Sequence, residues 1–458
     1  MWSQSKRHNF KNDLWSERYK EKSTGSKAIY IDIEEEENEE EDTRNYSKWS
    51  ELPDLLLEKI FAYLGIREKY YASLVCRNWY RAFHLPYVWS RFVLEDNTLT
   101  RSRFNYYSGW QYVLDHLRCQ MCMSSVGKNF KYLTIEPMLN FYNLYEFMNI
   151  LSWYTEQQKT LKGFVCLVLE GKLLAALKRL MGNLKKLQWL GLIDLMLDPK
   201  EAQYLLDEVC ETCCLTLRSL YIVNTTRVQY QMLHVGVFLN LHELVISPQN
   251  LGDDLIELIG FTKLKHLHIL QNRYTPYDVI IKPVSPMAWK KCRQNNAGLS
   301  VHLQLESLKE KPLIWQENAP VRTVLYDSPH IRLRADALLT TIEFYKEDLR
   351  IYGHKNIPRF HRSKSFSERI DENLIMLVQR CTYLSTLNVV IRVNKLLVKI
   401  PDFNGSPSTP QKPTPCRNLN SQDFDGNFRV LQDGLRRTLS GKNPILAHIT
   451  TSPKVLSI

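Results

Sequence analysis

Apolar residues recur along this chain with two different periods, and the change of period divides it. Between Trp49 and Glu95 they fall at helical spacing, whereas from about residue 130 to residue 400 they alternate within short runs. In the first region Leu57, Ile60, Phe61 and Leu64 take the spacing that lines one helical face, with Pro53 placed to open the helix. Ala72, Val75, Cys76, Trp79 and Phe83 repeat that spacing, and Val88, Trp89 and Phe92 follow an interruption at Leu85-Pro86. The pattern predicts three short helices. A module this small buries too little surface to be firmly stable alone, so its apolar excess predicts a partner protein.

In the second region an apolar residue, two others, an apolar residue, one other and an apolar residue recur in about ten short rungs. The anchors are Leu133, Leu167, Leu190, Leu220, Leu244, Leu267, Leu303, Val324, Leu349 and Leu387. Leu264 to Asn272 (LKHLHILQN) is the fullest rung, and the Asn272 side chain is expected to satisfy backbone groups in the turn after it. Between rungs, Asp198-Pro199-Lys200-Glu201 reads as a capping box, followed by a buried helical stripe of Ala202, Leu205, Leu206, Val209 and Cys213. Further helices are expected at Leu173–Leu184, Asp253–Gly260, Pro286–Asn295, Asp336–Glu347 and Asp371–Cys381. Such alternation predicts an α/β solenoid over residues 96–400, a curved parallel sheet with outer helices. Residues flanking each anchor then line its open face, and Trp189, Tyr221, Glu243, His266, His268, His302 and Gln304 are candidate target-binding residues there.

The helical module carries a resemblance. Leu52-Pro53, Ile60, Leu64, Leu74-Val75-Cys76, Trp79 and Trp89 stand in the order and at the spacing of the F-box, so residues 48–95 resemble that family, of the type followed by a leucine-rich-repeat solenoid. Departures are Glu68 where Asp is usual, Lys69 and Tyr70 in place of aliphatics, and Ala72 in place of Leu. The resemblance implies that Leu52, Pro53, Ile60, Leu64, Val75, Cys76, Trp79 and Trp89 form the surface that docks a Skp adaptor, or the core beneath it. It also implies the role of a non-catalytic substrate-recognition subunit of a Skp-cullin-F-box ubiquitin ligase, reaching the cullin scaffold and its RING subunit through the adaptor. Two rivals stand beside that reading: an F-box scaffold acting outside the cullin complex, and a basic repeat protein binding nucleic acid. The second predicts Lys and Arg at the open-face positions above, none of which is Lys or Arg.

Composition narrows the picture further. With 44% hydrophobic and 24% charged residues and no run of the roughly 18 apolar residues a membrane span needs, a membrane protein is not expected. The polar N-terminus lacks a secretory pattern, so the chain is expected in the cytoplasm or nucleus. Net charge is +11 although Glu34–Asp42 alone carries −8, so the remainder carries +19 and favours an acidic or phosphorylated target. Residues 1–47 around that run, and residues 401–458 with their GSPSTPQKPTP stretch, read as disordered, and the repeats stop without an amphipathic terminal cap. The basic stretch Arg359–Arg369 reads as a solvated loop with a phosphate-binding alternative.

Catalysis and metal binding find little support. The chain has no Gly-x-Ser-x-Gly elbow and no Gly-rich phosphate loop, so no enzyme activity and no cofactor are expected. Cys119–Cys122 and Cys210–Cys213 have ligand-like spacing, but 91 residues separate the pairs and Cys213 falls on a buried stripe, so packed thiols are expected rather than zinc.

Overall fold

A computed structural model describes residues 48–95, 98–107, 109–136, 143–158, 161–167, 173–276, 281–306, 312–327, 334–357, 370–391, 394–399 and 449–450. Residues 1–47 with the acidic run, the stretch Arg359–Arg369 and nearly all of 401–458 lie outside these. The chain divides into units Met1–Ser50 and Glu51–Ile458; the elements below belong to the second.

Three short helices open it: α1 (Asp54–Tyr63), α2 (Ile66–Ser73) and α3 (Arg77–Phe83), followed by a 3-10 turn at Pro86–Trp89. The expected second helix is therefore two, because the chain breaks at Leu74–Cys76. Val75 lies in that break, and the helical period across it was coincidental. Phe92, expected on a third helix, instead sits in strand β1 (Arg91–Leu94). Leu57 and Phe61 fill the centre of the bundle, with Trp79 edge-on to Phe61 at 5.8 Å and Trp89 edge-on to Phe83 at 5.1 Å. The Trp89 indole donates to the Phe83 carbonyl at 2.6 Å, which satisfies its polar edge inside the core. Lys69 is buried, its ammonium donating to the Val88 carbonyl at 2.9 Å and lying 5.2 Å from the Trp89 ring centroid. Desolvation holds its pKa below the usual lysine value.

An antiparallel hairpin follows, β2 (Thr100–Asn105) with β3 (Gly109–Leu114). The rung pattern does not extend to it. Helix α4 (His116–Val126) and strand β4 (Tyr132–Ile135) begin the alternating region, which continues through α5 (Leu144–Gln158), β5 (Gly163–Leu167), α6 (Leu173–Asn183), β6 (Trp189–Ile193), α7 (Pro199–Cys213), β7 (Ser219–Val223) and β8 (Glu243–Ile246). Then come α8 (Asp253–Ile259), β9 (His266–Gln271), α9 (Pro286–Asn295), β10 (Ser300–Leu305), β11 (Val321–Tyr326), α10 (Ala335–Tyr345), β12 (Ile351–Ile357), α11 (Asp371–Arg380) and β13 (Thr386–Ile391). The helices predicted between the rungs all form, with ends within two residues of those expected.

Among the described residues one sheet runs β1-β4-β5-β6-β7-β8-β9-β10-β11-β12-β13, every neighbouring pair parallel, in a leucine-rich-repeat-like order. Where the rungs were expected to stop without a cap, β14 (Asn394–Lys399) pairs antiparallel with β13, and Ile449–Thr450 pair as β15 with β14. Two apolar columns cross the sheet and meet the helices. One runs Phe92, Leu133, Phe164, Leu190, Leu220, Leu244, Leu267, Val301; the other runs Leu94, Ile135, Cys166, Leu192, Ile222, Ile246, Ile269, Leu303, Val324, Tyr352, Leu387. These side chains are buried, and each contributes on the order of 1.5–3 kcal/mol by leaving water. Of the predicted anchors, Leu167 pairs with Ile193 outside both columns, and Phe164 occupies its place. Leu349 is buried just ahead of β12, where Tyr352 is the column residue. Between Val301 and His302 the pairing with β11 shifts register, an irregularity that a rung template does not register.

Candidate functional site

The first candidate surface is the outside of the helical module. The eight residues expected to dock the adaptor separate into layers. Trp89 belongs to the core; Leu52, Leu64, Cys76 and Trp79 are partly covered; Pro53, Ile60 and Val75 face solvent, Val75 at 64% exposure. Beside them Leu55, Leu56 and Leu74 are exposed at 65%, 46% and 62%, which the helical period alone did not mark. Leu56, Ile60 and Tyr63 follow one another along α1 at four- and three-residue steps, so they share a face, turned away from the buried side of Leu57 and Phe61 by about 100°. Three polar contacts hold the geometry beneath. Arg81 pairs with Asp54 at 2.7 Å, the Asn78 amide donates to the Leu52 carbonyl at 3.0 Å, and the Tyr87 backbone N–H donates to Glu58 Oε1 at 2.8 Å. An apolar face of this size on so small a bundle is stable in water only at a cost, which a covering partner removes.

The second candidate is the open face of the sheet, where alternation turns every other side chain away from the helices. Six of the seven expected residues form one connected chain there. Trp189 lies edge-on to Tyr221 at 5.3 Å, and the Tyr221 hydroxyl donates to Glu243 Oε1 at 3.1 Å. Glu243 also accepts from the Ser219 hydroxyl and lies 3.9 Å from His268 Nε2. His268 stacks on His302 at 4.3 Å, while His266 Nδ1 and His302 Nε2 approach to 3.3 Å and His302 Nδ1 meets the Thr323 hydroxyl at 2.9 Å. Gln304 stands apart, donating to Glu306 Oε1 at 2.6 Å.

Burial and one carboxylate set the electrostatics of this strip. Burial, with the neighbouring imidazoles and Arg322 adding to it, pushes His302 down to about 3, and burial also lowers His268. Both rings are neutral at pH 7. Burial first, and then the Glu243 charge, raises the Tyr221 phenol. The strip is therefore aromatic and neutral with one carboxylate at its centre. At its near end Gly163 lies between Tyr132 and Trp189, and a Cβ there would fall 2.5 Å from a Tyr132 ring carbon and 3.3 Å from a Trp189 ring carbon. The two rings thus close over bare backbone.

The cysteine pairs occupy ordinary packing positions. Cys119 and Cys213 are buried on α4 and α7, and burial pushes both thiols up to about 12. No helix among the described residues is long and apolar enough to cross a membrane.

A compact helical bundle with an exposed apolar face thus leads into a repeated parallel sheet. Residues 49–95 match the F-box-like family, so the chain carries an F-box-like domain at that position. Over this region it is 40% identical across 57 residues to F-box/LRR-repeat protein 21 of Bos taurus, and 39% identical across 57 residues to that of Ovis aries. Each match covers 12% of this chain and 13% of the relative, so the chain aligns with only a small part of the length of these relatives. A solved structure of the yeast Rad7 and Elc1 complex is matched over 58% of this chain and 78% of that one, at 14% identity and a TM-score of 0.29.

Proposed function

We propose that this chain is the substrate-recognition subunit of a Skp-cullin-F-box ubiquitin ligase. In this reading the exposed face of Pro53, Leu56, Ile60, Leu74 and Val75 docks a Skp adaptor, and the adaptor reaches the cullin and its RING subunit. The open face of the sheet holds the target. The observation that carries the reading is the coincidence of the F-box-like match at 49–95 with an apolar face the bundle leaves in water. No side chain of this chain is asked to perform chemistry. Holding a target lysine near an activated thioester raises its effective concentration, and proximity supplies the acceleration.

The test is affinity purification of the full chain beside an Ile60→Asp, Val75→Asp variant, with co-purifying proteins identified. Both positions are exposed, so the variant keeps its fold, whereas Leu52 and Trp79 substitutions would also disturb contacts inside the bundle. The expected result is an adaptor and a cullin captured by the parent and lost together from the variant. An adaptor captured without any cullin would favour the scaffold reading, and capture of neither by the parent would end the proposal.

A further inference from the structure

The N-terminal edge of the sheet carries a feature that the strip on its open face lacks. The residues immediately preceding β4, β5, β6, β7, β8 and β9 are Lys131, Lys162, Gln188, Arg218, His242 and Lys265. They are stacked by backbone hydrogen bonds: Lys162 N–H donates to the Lys131 carbonyl at 2.8 Å, Gln188 N–H to Lys162 at 2.7 Å, Arg218 N–H to Gln188 at 2.8 Å, His242 N–H to Arg218 at 2.8 Å and Lys265 N–H to His242 at 2.9 Å. Consecutive members are thus about 4.8 Å apart, the spacing between strands. A cleft of about 1010 Å³ opens along this row. Lys128, Lys131, Lys162, Lys186 and Arg218 line it, all exposed, and no Asp or Glu is among its lining residues.

We propose that this cleft is a docking groove for an acidic peptide, a run of Asp and Glu side chains in an extended segment of a partner protein. Five like charges around one cleft give it a positive potential that favours an anion there. The chemistry of the lining selects among anions. Four of the five cations are Lys, point charges without the planar fork by which Arg grips a single phosphate, so the groove suits charge spread along a segment rather than one phosphorylated side chain. Its apolar lining is limited to Pro86 and Leu215, and His242 is the single ring among its lining residues, fewer than the successive aromatic platforms of single-strand nucleic-acid channels. That the segment belongs to a ligase target rests on the function proposed above; the preference of the groove for it does not.

The test uses the full chain and a fluorescent peptide of eight consecutive glutamates, with an eight-glutamine peptide as its neutral counterpart. Anisotropy should show binding of the glutamate peptide alone, weakened at least about tenfold by Lys131→Glu, Lys162→Glu, Arg218→Glu together. It should weaken again as salt rises from about 50 to about 300 mM, because exposed charges are screened. An unchanged melting temperature in the variant confirms the fold, since the substituted side chains are exposed. Equal binding of both peptides, or no loss in the variant, overturns the proposal. A single-stranded oligonucleotide of equal charge bound more than about tenfold tighter also overturns it, and makes the edge a nucleic-acid surface. The Ile60→Asp, Val75→Asp chain must still bind the peptide, so failure of the adaptor reading leaves this result standing or falling by itself.

Discussion

The side-chain amide of Asn224 donates to Asn272 Oδ1 at 2.6 Å, joining the turns after β7 and β9 across 48 residues of chain. Both amides also donate to Asp194 Oδ1, at 2.7 Å from Asn224 and 2.9 Å from Asn272. Asn224 Oδ1 in turn accepts from Gln249 at 2.8 Å and Ser247 at 3.1 Å. Three repeats are thereby tied by one carboxylate and two amides. Asp194 and Asn224 both take positive φ, 58° and 45°, a conformation these two residue types tolerate better than most.

Replacing Asn224 with Leu leaves the Asp194 carboxylate and the Ser247 and Gln249 groups short of partners. Asp194 is only partly buried and keeps Asn272, so we expect a loss of about 1–3 kcal/mol, the range for buried polar groups left without a partner. Urea unfolding of parent and variant measures it, and a change under about 1 kcal/mol would show that water replaces the network without cost.

The histidine strip gives the protein a defined pH response. His302 has its folded pKa well below the unfolded value of 6.5, so between 6.5 and about 3 the unfolded chain binds a proton that the folded one does not. His268 adds in the same direction. Stability is therefore complete above about pH 6.5 and falls as pH drops through the window below it. His302→Gln, which keeps a polar partner for Thr323, should flatten the slope of urea midpoint against pH; an unchanged slope would assign the acid sensitivity elsewhere.

Gly163 has no room for a side chain beneath Tyr132 and Trp189. Gly163→Val should force both rings aside and cost about 1–3 kcal/mol, read as a lowered thermal midpoint. Gly109 carries a positive φ of 74° but has nothing near its missing Cβ, so Gly109→Ala costs only the backbone strain and should be the milder change.

How far the residues announced these features depended on whether burial enforced a period. On α7 the capping box and the stripe Ala202, Leu205, Leu206, Val209 and Cys213 were legible in full, because helix start, face and core are all local in sequence. Asn272 does accept from the Tyr274 backbone N–H at 2.9 Å, as its rung suggested, but its ties to Asn224 and Asp194 join repeats that no local pattern connects. The hairpin β2–β3 was missed because Phe104, Trp110 and their neighbours lie mostly in solvent, where nothing enforces alternation. The break at Val75 was missed for the opposite reason, since two short helices in succession imitate one period. The basic row shows only when residues are aligned by their place before each strand; composition had registered it as diffuse charge.

The first strand of the sheet lies inside the F-box-like match. β1 is held to β4 along Arg91–Leu94, Phe92 stacks on Phe130 at 4.5 Å, and the Ser90 carbonyl accepts from Lys131 and Tyr132. Excising residues 49–95, a natural design for a chain deprived of its adaptor, would therefore do a second thing. It would strip β4 of its neighbour and leave an open row of backbone donors and acceptors beside Leu133 and Ile135, a template for intermolecular pairing. Such a deletion is expected to appear in the void volume on gel filtration while the Ile60→Asp, Val75→Asp chain stays monodisperse. Any cellular effect of the deletion would then report sequestration into aggregates as much as loss of the proposed adaptor contact.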